Sequence, residues 1–235
     1  MLQKGAVEKT TLELLGKLTQ EPILSSTRLV GGTSLALQIG HRKSTDLDFF
    51  TNDYPDIQSI VKLLYEKYDY KAQLIGEKAT IGFINGVKID VIHHPYKWLE
   101  EPLIEGSFRL ATLKDIAAMK LHAITNSGQR PKDFVDIAFL SQFFSYEKIK
   151  EMAIEKYPMY DPLMFDRAII FFDDIDREAI NNIKMINTRM DWRRIEQRIV
   201  RMTGNPNEIF KNSPLLPSIK KGNDIPVYTN NPIKP

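Results

Sequence analysis

Two carboxylates two residues apart, Asp46 and Asp48 in Thr45-Asp46-Leu47-Asp48-Phe49-Phe50, carry the first chemical signal in this 235-residue chain. Side chains alternate along a strand, so both acids share one face while Leu47 and Phe49 take the other. Upstream, Leu29 and Val30 read as a strand end, Gly31 and Gly32 as a tight turn, and Thr33 to Ile39 as a short apolar helix. A helix start presents free N–H groups and the positive end of the helix dipole, which suits a phosphate. A third acid, Asp90, lies in Lys88-Ile89-Asp90-Val91-Ile92, an apolar strand where aspartate is disfavoured. There Lys88, Asp90 and Ile92 take one face, and Val87, Ile89 and Val91 the other.

The remaining candidates sit on helical segments. Thr112 is a good N-cap, with Asp115 placed to complete a capping box, for a helix through about Thr125. On a helical wheel Leu113, Ile116, Ala117, Leu121, Ala123 and Ile124 form an apolar arc with Lys120 near its middle, and His122 falls on the polar face. Lys120 is read either as a functional cation or as a snorkelling lysine whose stem packs. In the next helix, 132–140, the polar stripe is Lys132, Asp133 and Asp136. Its acids must be paired, exposed along a cleft, or functional, and one role open to them is to orient Lys120.

Acids on neighbouring strands that face a glycine turn are what phosphoryl or nucleotidyl transfer demands. Carboxylates hold Mg²⁺, which neutralises a triphosphate and aligns it for in-line attack. Backbone N–H groups and a lysine stabilise the remaining charge. On this reading Asp46 and Asp48 bind metal, and Asp90 is either a further ligand or the base toward the acceptor. Gly31, Gly32, Thr33 and Ser34 cradle the phosphates, and Lys120 reaches them. Arg42, in His41-Arg42-Lys43, either joins the phosphate site or belongs to a solvated basic loop.

These residues need elements to hold them. An N-terminal helix is expected over Thr10 to Leu18, ended by Pro22, and another runs from the Asn52–Pro55 loop to about Tyr68, burying Ile57, Ile60, Val61, Leu64 and Tyr65. Gln73 to Ile75, Thr80 to Ile84 and Val87 to Ile92 read as strands, the last two joined by the hairpin signal Asn85-Gly86. Beyond Pro102 the pattern is helical. After the helix on Thr112 and that at 132–140, helices are expected over Tyr146–Lys156, Pro162–Phe172, Asp176–Met185 and Asp191–Met202. The arginines of Trp192-Arg193-Arg194, Arg198 and Arg201 are read as an RNA-backbone contact or as a solvated face. Adjacent His93 and His94 at a strand end point opposite ways, and no third ligand has suitable spacing, so they read as loop residues. From Asn205 a Pro-rich segment reads as an extended tail, docked through Leu215, Leu216, Ile225 and Val227.

Gly31-Gly32-Thr33-Ser34-Leu35-Ala36, followed by Gly40-His41-Arg42-Lys43-Ser44-Thr45-Asp46-Leu47-Asp48, resembles the signature of the AbiEii/AbiGii toxin family of nucleotidyltransferases, members of the DNA polymerase β-like superfamily. Asp115-Ile116-Ala117-Ala118-Met119-Lys120 and Arg130-Pro131-Lys132-Asp133-Phe134-Val135-Asp136 are similar to the family's second block. The resemblance covers roughly residues 27 to 140. It implies an α+β fold, with a small mixed β-sheet flanked by helices and an α-helical C-terminal half. The expected division is 1–105 as the nucleotidyltransferase core, 106–204 as a helical domain completing the active site, and 205–235 as the tail. It also implies an NTP substrate, Mg²⁺, a catalytic set of Asp46, Asp48, Asp90, Lys120, Asp133 and Asp136, and a role as the toxin of a bacterial toxin–antitoxin pair. The acceptor would be RNA, for some members the 3′ end of tRNA, or protein, and the partner a cognate antitoxin. A small-molecule acceptor and a catalytically silent binding module are the other readings.

Composition narrows the field without deciding it. There is no cysteine, so disulfides and thiolate metal sites are excluded. No window approaches the roughly 18 apolar residues of a membrane span, so a cytoplasmic protein with no membrane partner is expected. A formal net charge of +2 diagnoses nothing about nucleic acid.

Overall fold

The computed structural model describes residues 1–215. A seven-stranded mixed sheet forms the N-terminal part, in the order β3-β4-β5-β2-β1-β7-β6. Its strands are β1 (Arg28–Leu29), β2 (Leu47–Thr51), β3 (Lys71–Ile75), β4 (Ala79–Ile84), β5 (Val87–His93), β6 (Leu103–Glu105) and β7 (Phe108–Leu110). β2 lies between parallel β5 and antiparallel β1, and β7 runs parallel to β1. Helices α1 (Lys9–Leu18), α2 (Gly31–Ile39) and α3 (Ile57–Tyr68) accompany the sheet. The rest is helical: α4 (Leu113–Ser127), α5 (Pro131–Leu140), α6 (Tyr146–Lys156), α7 (Pro162–Ile169), α8 (Arg177–Ile180) and α9 (Trp192–Gly204).

Two apolar clusters result. Leu15, Leu18, Phe49, Ile60, Leu64 and Ile89 fill one, between the sheet and its helices. Ile116, Leu121, Phe134, Phe139, Tyr157 and Ile199 anchor the other, among α4 to α9. α2 serves both, because Leu37 enters the first and Leu35 the second. Its residues Thr33 to Leu37 are all buried, so the helix that starts at the glycine pair is clamped from two sides.

Several elements differ from expectation, each for a local reason. The helix begins at Gly31 itself, with Val30 as N-cap and Gly31 at a positive φ of 66°. Beyond Pro102 the chain first makes the β6–β7 hairpin, turned at Gly106 with φ 61°, so the sheet extends past residue 105. Such three-residue strands leave too little pattern to read. α8 stops at Ile180, since the following segment runs extended against residues 41–43: Lys43 N–H donates to the Lys184 carbonyl at 2.8 Å and Ile186 N–H to His41 at 3.0 Å. Tyr65 is half-exposed, edge-on to Tyr70, and outside the buried stripe of α3. The arginines of α9 mostly secure the chain that follows: Arg194 donates to the Leu215 carbonyl at 2.8 Å, and Arg198 to Ser141 and to the Asn212 carbonyl. Leu215 is buried, while Leu216, Ile225 and Val227 lie outside the described residues. No described helix is long and apolar enough to cross a membrane.

Candidate active site

Pairing of β2 with β5 sets Asp48 opposite Asp90, and strand alternation turns both into one cleft. Asp46 precedes β2 and faces the same space. The cleft measures about 540 Å³ and separates the sheet from α4 and α5. Gly31 and Gly32 form its floor. A Cβ on Gly31 would overlap the Asp48 carboxylate, and one on Gly32 would overlap the Arg42 guanidinium, so neither position tolerates a side chain without displacing a charged group. No side chain caps the N-terminus of α2, which leaves the first-turn N–H groups beside the acids.

The two walls differ electrostatically. On the sheet side, burial and then the charge of Asp90 push the Asp48 carboxyl up to about 6, against the opposing pull of Lys120. Asp46 has one hydrogen bond to its carboxylate, from the Thr45 hydroxyl at 3.3 Å. Asp90 is paired: Lys88 Nζ lies 2.7 and 2.5 Å from its two oxygens. Three carboxylates therefore meet one ammonium on this wall.

On the helical side each carboxylate is paired with a cation, and the exposed Arg130 adds a further one 3.6 Å from Asp133. Lys120 Nζ is buried between Asp133 Oδ1 at 2.6 Å and Asp136 Oδ2 at 2.8 Å. Burial alone would depress its pKa, but the two carboxylates reverse that and hold the ammonium charged. Asp136 also takes two hydrogen bonds from Arg42, at 2.7 and 2.9 Å, and one contact from His41 Nε2 at 2.8 Å. Burial favours its neutral acid, yet Arg42 and Lys120 outweigh this and hold Asp136 well below the carboxylate range. His41 is lowered by burial despite its contact with Asp136 and is neutral near pH 7. Asp133 and Asp136 are thus paired with Lys120, and the snorkelling alternative does not apply.

The structure also redistributes the residues expected at the phosphates. Arg42 is buried and faces Asp136 from behind Gly32, so it braces the loop and does not enter the cleft; nor is its loop solvated at His41 or Arg42. The Thr33 hydroxyl donates to the Asp46 carbonyl and bonds Ser44 at 2.9 Å, fixing the loop that carries the acids. The Ser34 hydroxyl is buried, at 3.2 Å from Gln38 Nε2 and 3.5 Å from the Ala111 carbonyl. What these two residues offer the cleft is position.

An aromatic wall continues the cleft away from the acids. His122 stacks on Tyr157 at 3.8 Å, and His94 Nε2 is 3.2 Å from the Tyr157 hydroxyl. Burial depresses both imidazoles, His94 to about 3 with Lys156 adding to it and His122 to about 4, so both are neutral at pH 7. His122 is half-buried, one face of its ring against Tyr157 and its edge toward the exposed Asn126. His93 turns the other way, edge-on to Tyr54. Lys88, His94, His122 and Tyr157 are cleft residues that the site reading omitted. Lys88 was legible, since it shares a face with Asp90, whereas nothing in the local pattern brings Tyr157 from the end of α6.

The family described as nucleotidyl transferase AbiEii toxin, type IV TA system, matches residues 13–212. The chain belongs to that family. The catalytic class is accordingly nucleotidyltransferase. An uncharacterised protein of Aquifex aeolicus is 28% identical over 197 residues, covering 81% of this chain and 93% of that protein. The crystal structure of JHP933 from Helicobacter pylori is similar in fold, with a TM-score of 0.52 at 16% identity over 85% of this chain and 92% of that one. The fold of this AbiEii-family chain is the α+β arrangement described above, a mixed sheet with flanking helices and a helical C-terminal half.

Oxygen-only donors of high charge suit Mg²⁺. Among the described residues, no three His, Asp or Glu side chains are gathered closely enough to hold an ion as they stand. Asp46 and Asp48 fit such an ion in kind, and Asp90 fits it once Lys88 is displaced.

Proposed function

We propose that the cleft binds an NTP with Mg²⁺ and transfers its nucleotidyl group to the hydroxyl of an acceptor RNA or protein, releasing pyrophosphate, and that the chain is the toxin of a bacterial toxin–antitoxin pair. The observation that carries this is the unbalanced wall of Asp46, Asp48 and Asp90 beside the uncapped start of α2. The metal would supply charge neutralisation and alignment of the triphosphate. Asp46 and Asp48 would hold it, with Asp90 either a third ligand or the base that takes the acceptor's proton. The first-turn N–H groups at Gly31, Gly32 and Thr33 would cradle phosphate oxygens.

Lys120 lines the cleft with its charge secured by Asp133 and Asp136, and would stabilise the negative charge that builds on the phosphates. Those two acids are then positioning residues, and Arg42, Thr33 and Ser34 act at one further remove by fixing the loop and α2. The acceptor enters between sheet and helices. Family membership supports an antitoxin as partner; the acceptor hydroxyl belongs to RNA, the 3′ end of tRNA among the candidates, or to protein, and the cytoplasm is the proposed place of action. Incubation with each labelled NTP, Mg²⁺ and total cell RNA and protein tests the reading. A labelled macromolecule that disappears with Asp46→Ala supports it, and labelling unaffected by that change contradicts it.

A further inference from the structure

Lys88 is a charged group of the cleft, beside the acids, that this mechanism leaves unused. It stands two residues before Asp90 on β5, so strand geometry builds the pair into one face. Its ammonium covers both oxygens of Asp90, at 2.7 and 2.5 Å. The two partners are unequally held, because the Lys88 side chain is 36% exposed and that of Asp90 11%. The other lysine of the cleft, Lys120, is 8% exposed and fixed by two carboxylates. One lysine is therefore locked, and the other can leave on a flexible four-carbon stem with little change in solvation.

We propose that Lys88 is an exchangeable internal counter-ion: it occupies the cation's place at Asp90 in the resting protein, gives way when a metal-bound triphosphate enters, and then pairs with the phosphates. This deepens the nucleotidyl-transfer reading and rests on it. Charge supports the exchange. The three carboxylates and the Lys88 ammonium leave two formal negative charges, which one divalent cation cancels. Once Asp90 turns to the metal, the freed ammonium faces the only new anion in the cleft, the triphosphate. Metal alone must compete with Lys88, whereas metal together with triphosphate offers Lys88 a new partner. Binding of the two is therefore cooperative, and the cooperativity resides in this residue.

The test measures Mn²⁺ binding by calorimetry or electron paramagnetic resonance, with and without a non-hydrolysable NTP analogue, on the wild-type chain and on Lys88→Met and Lys88→Gln. The substituted side chain is partly exposed, and two variants guard against one that folds poorly. In the absence of nucleotide, both variants bind Mn²⁺ about tenfold more tightly than the wild type, the scale of one partly screened charge. In both, the tightening of Mn²⁺ by the analogue shrinks, and KM for the NTP rises more than kcat falls. Unchanged or weaker Mn²⁺ binding in the variants, with the wild type still transferring nucleotide, overturns the counter-ion role and leaves the transferase reading intact. Absence of Mn²⁺ binding in every protein, with or without analogue, overturns both.

Discussion

The two walls of the cleft hold similar residues in opposite states. Across α4 and α5, Asp133 and Asp136 are buried against Lys120 and Arg42, with the exposed Arg130 3.6 Å from Asp133 and a neutral His41 completing the shell. Across β2 and β5, three carboxylates share one ammonium, and Asp48 is driven to a pKa of about 6. A buried ion pair is held by mutual compensation, and removing one partner leaves a stranded charge. Uncompensated acids instead carry a standing cost, which an incoming cation relieves. The helical wall is a self-sufficient scaffold, and the sheet wall is completed by what binds there.

The contrast is broken most severely at Asp136. Asp136→Ala strands the buried Arg42 and takes one of the two carboxylates from Lys120, which keeps Asp133, and it lowers stability by about 3–5 kcal/mol, seen as a large fall in the denaturant midpoint. Asp48→Asn acts in the opposite direction. Its folded-state pKa lies above the ordinary 3.8, so the folded protein binds the proton more readily and loses stability as pH rises from about 4 through about 6. Above that window the penalty is complete, on the order of 2–3 kcal/mol, and the amide removes it. The same variant loses transfer by at least about 10²-fold.

Gly31→Ala tests the close approach of the floor to the acids. A methyl at a φ of 66° meets the Asp48 carboxylate, and stability falls by about 1–2 kcal/mol with loss of transfer, measured by thermal melts and labelling. The smallest effect is a pH dependence. Protons compete with metal at Asp48, so the Mg²⁺ concentration for half-maximal transfer rises by about tenfold per unit as pH falls below about 6, and is flat above it.

How much of this was legible depended on the distance over which residues cooperate. Asp46, Asp48 and Asp90 follow from strand alternation, and the burial pattern of β2 repeats it residue by residue. Lys120 inside an apolar arc announced a partner, which Asp133 and Asp136 supply from the adjoining helix. Contacts across long stretches of chain left no local mark. Arg42 and Asp136 are 94 residues apart, and nothing near Arg42 indicates that it turns inward. Asp115 was legible as a capping residue, since Thr112 accepts its N–H at 3.4 Å, but its second role was hidden. Its carboxylate also receives Lys156 at 2.8 Å, in a buried pair beside Trp98, which Arg28 covers from 4.4 Å. That pair ties the β5–β6 connection to α4 and α6, joining sheet to helices at the back of the cleft.

The melting temperature of Asp48→Asn beside the wild type, each with and without NTP and Mg²⁺, tests the difference between the walls most directly. The account predicts that the variant melts higher than the wild type in the absence of ligand and gains little from NTP with Mg²⁺, while the wild type gains several degrees. A variant that melts lower than the wild type and is still stabilised by NTP with Mg²⁺ to the same extent would contradict it.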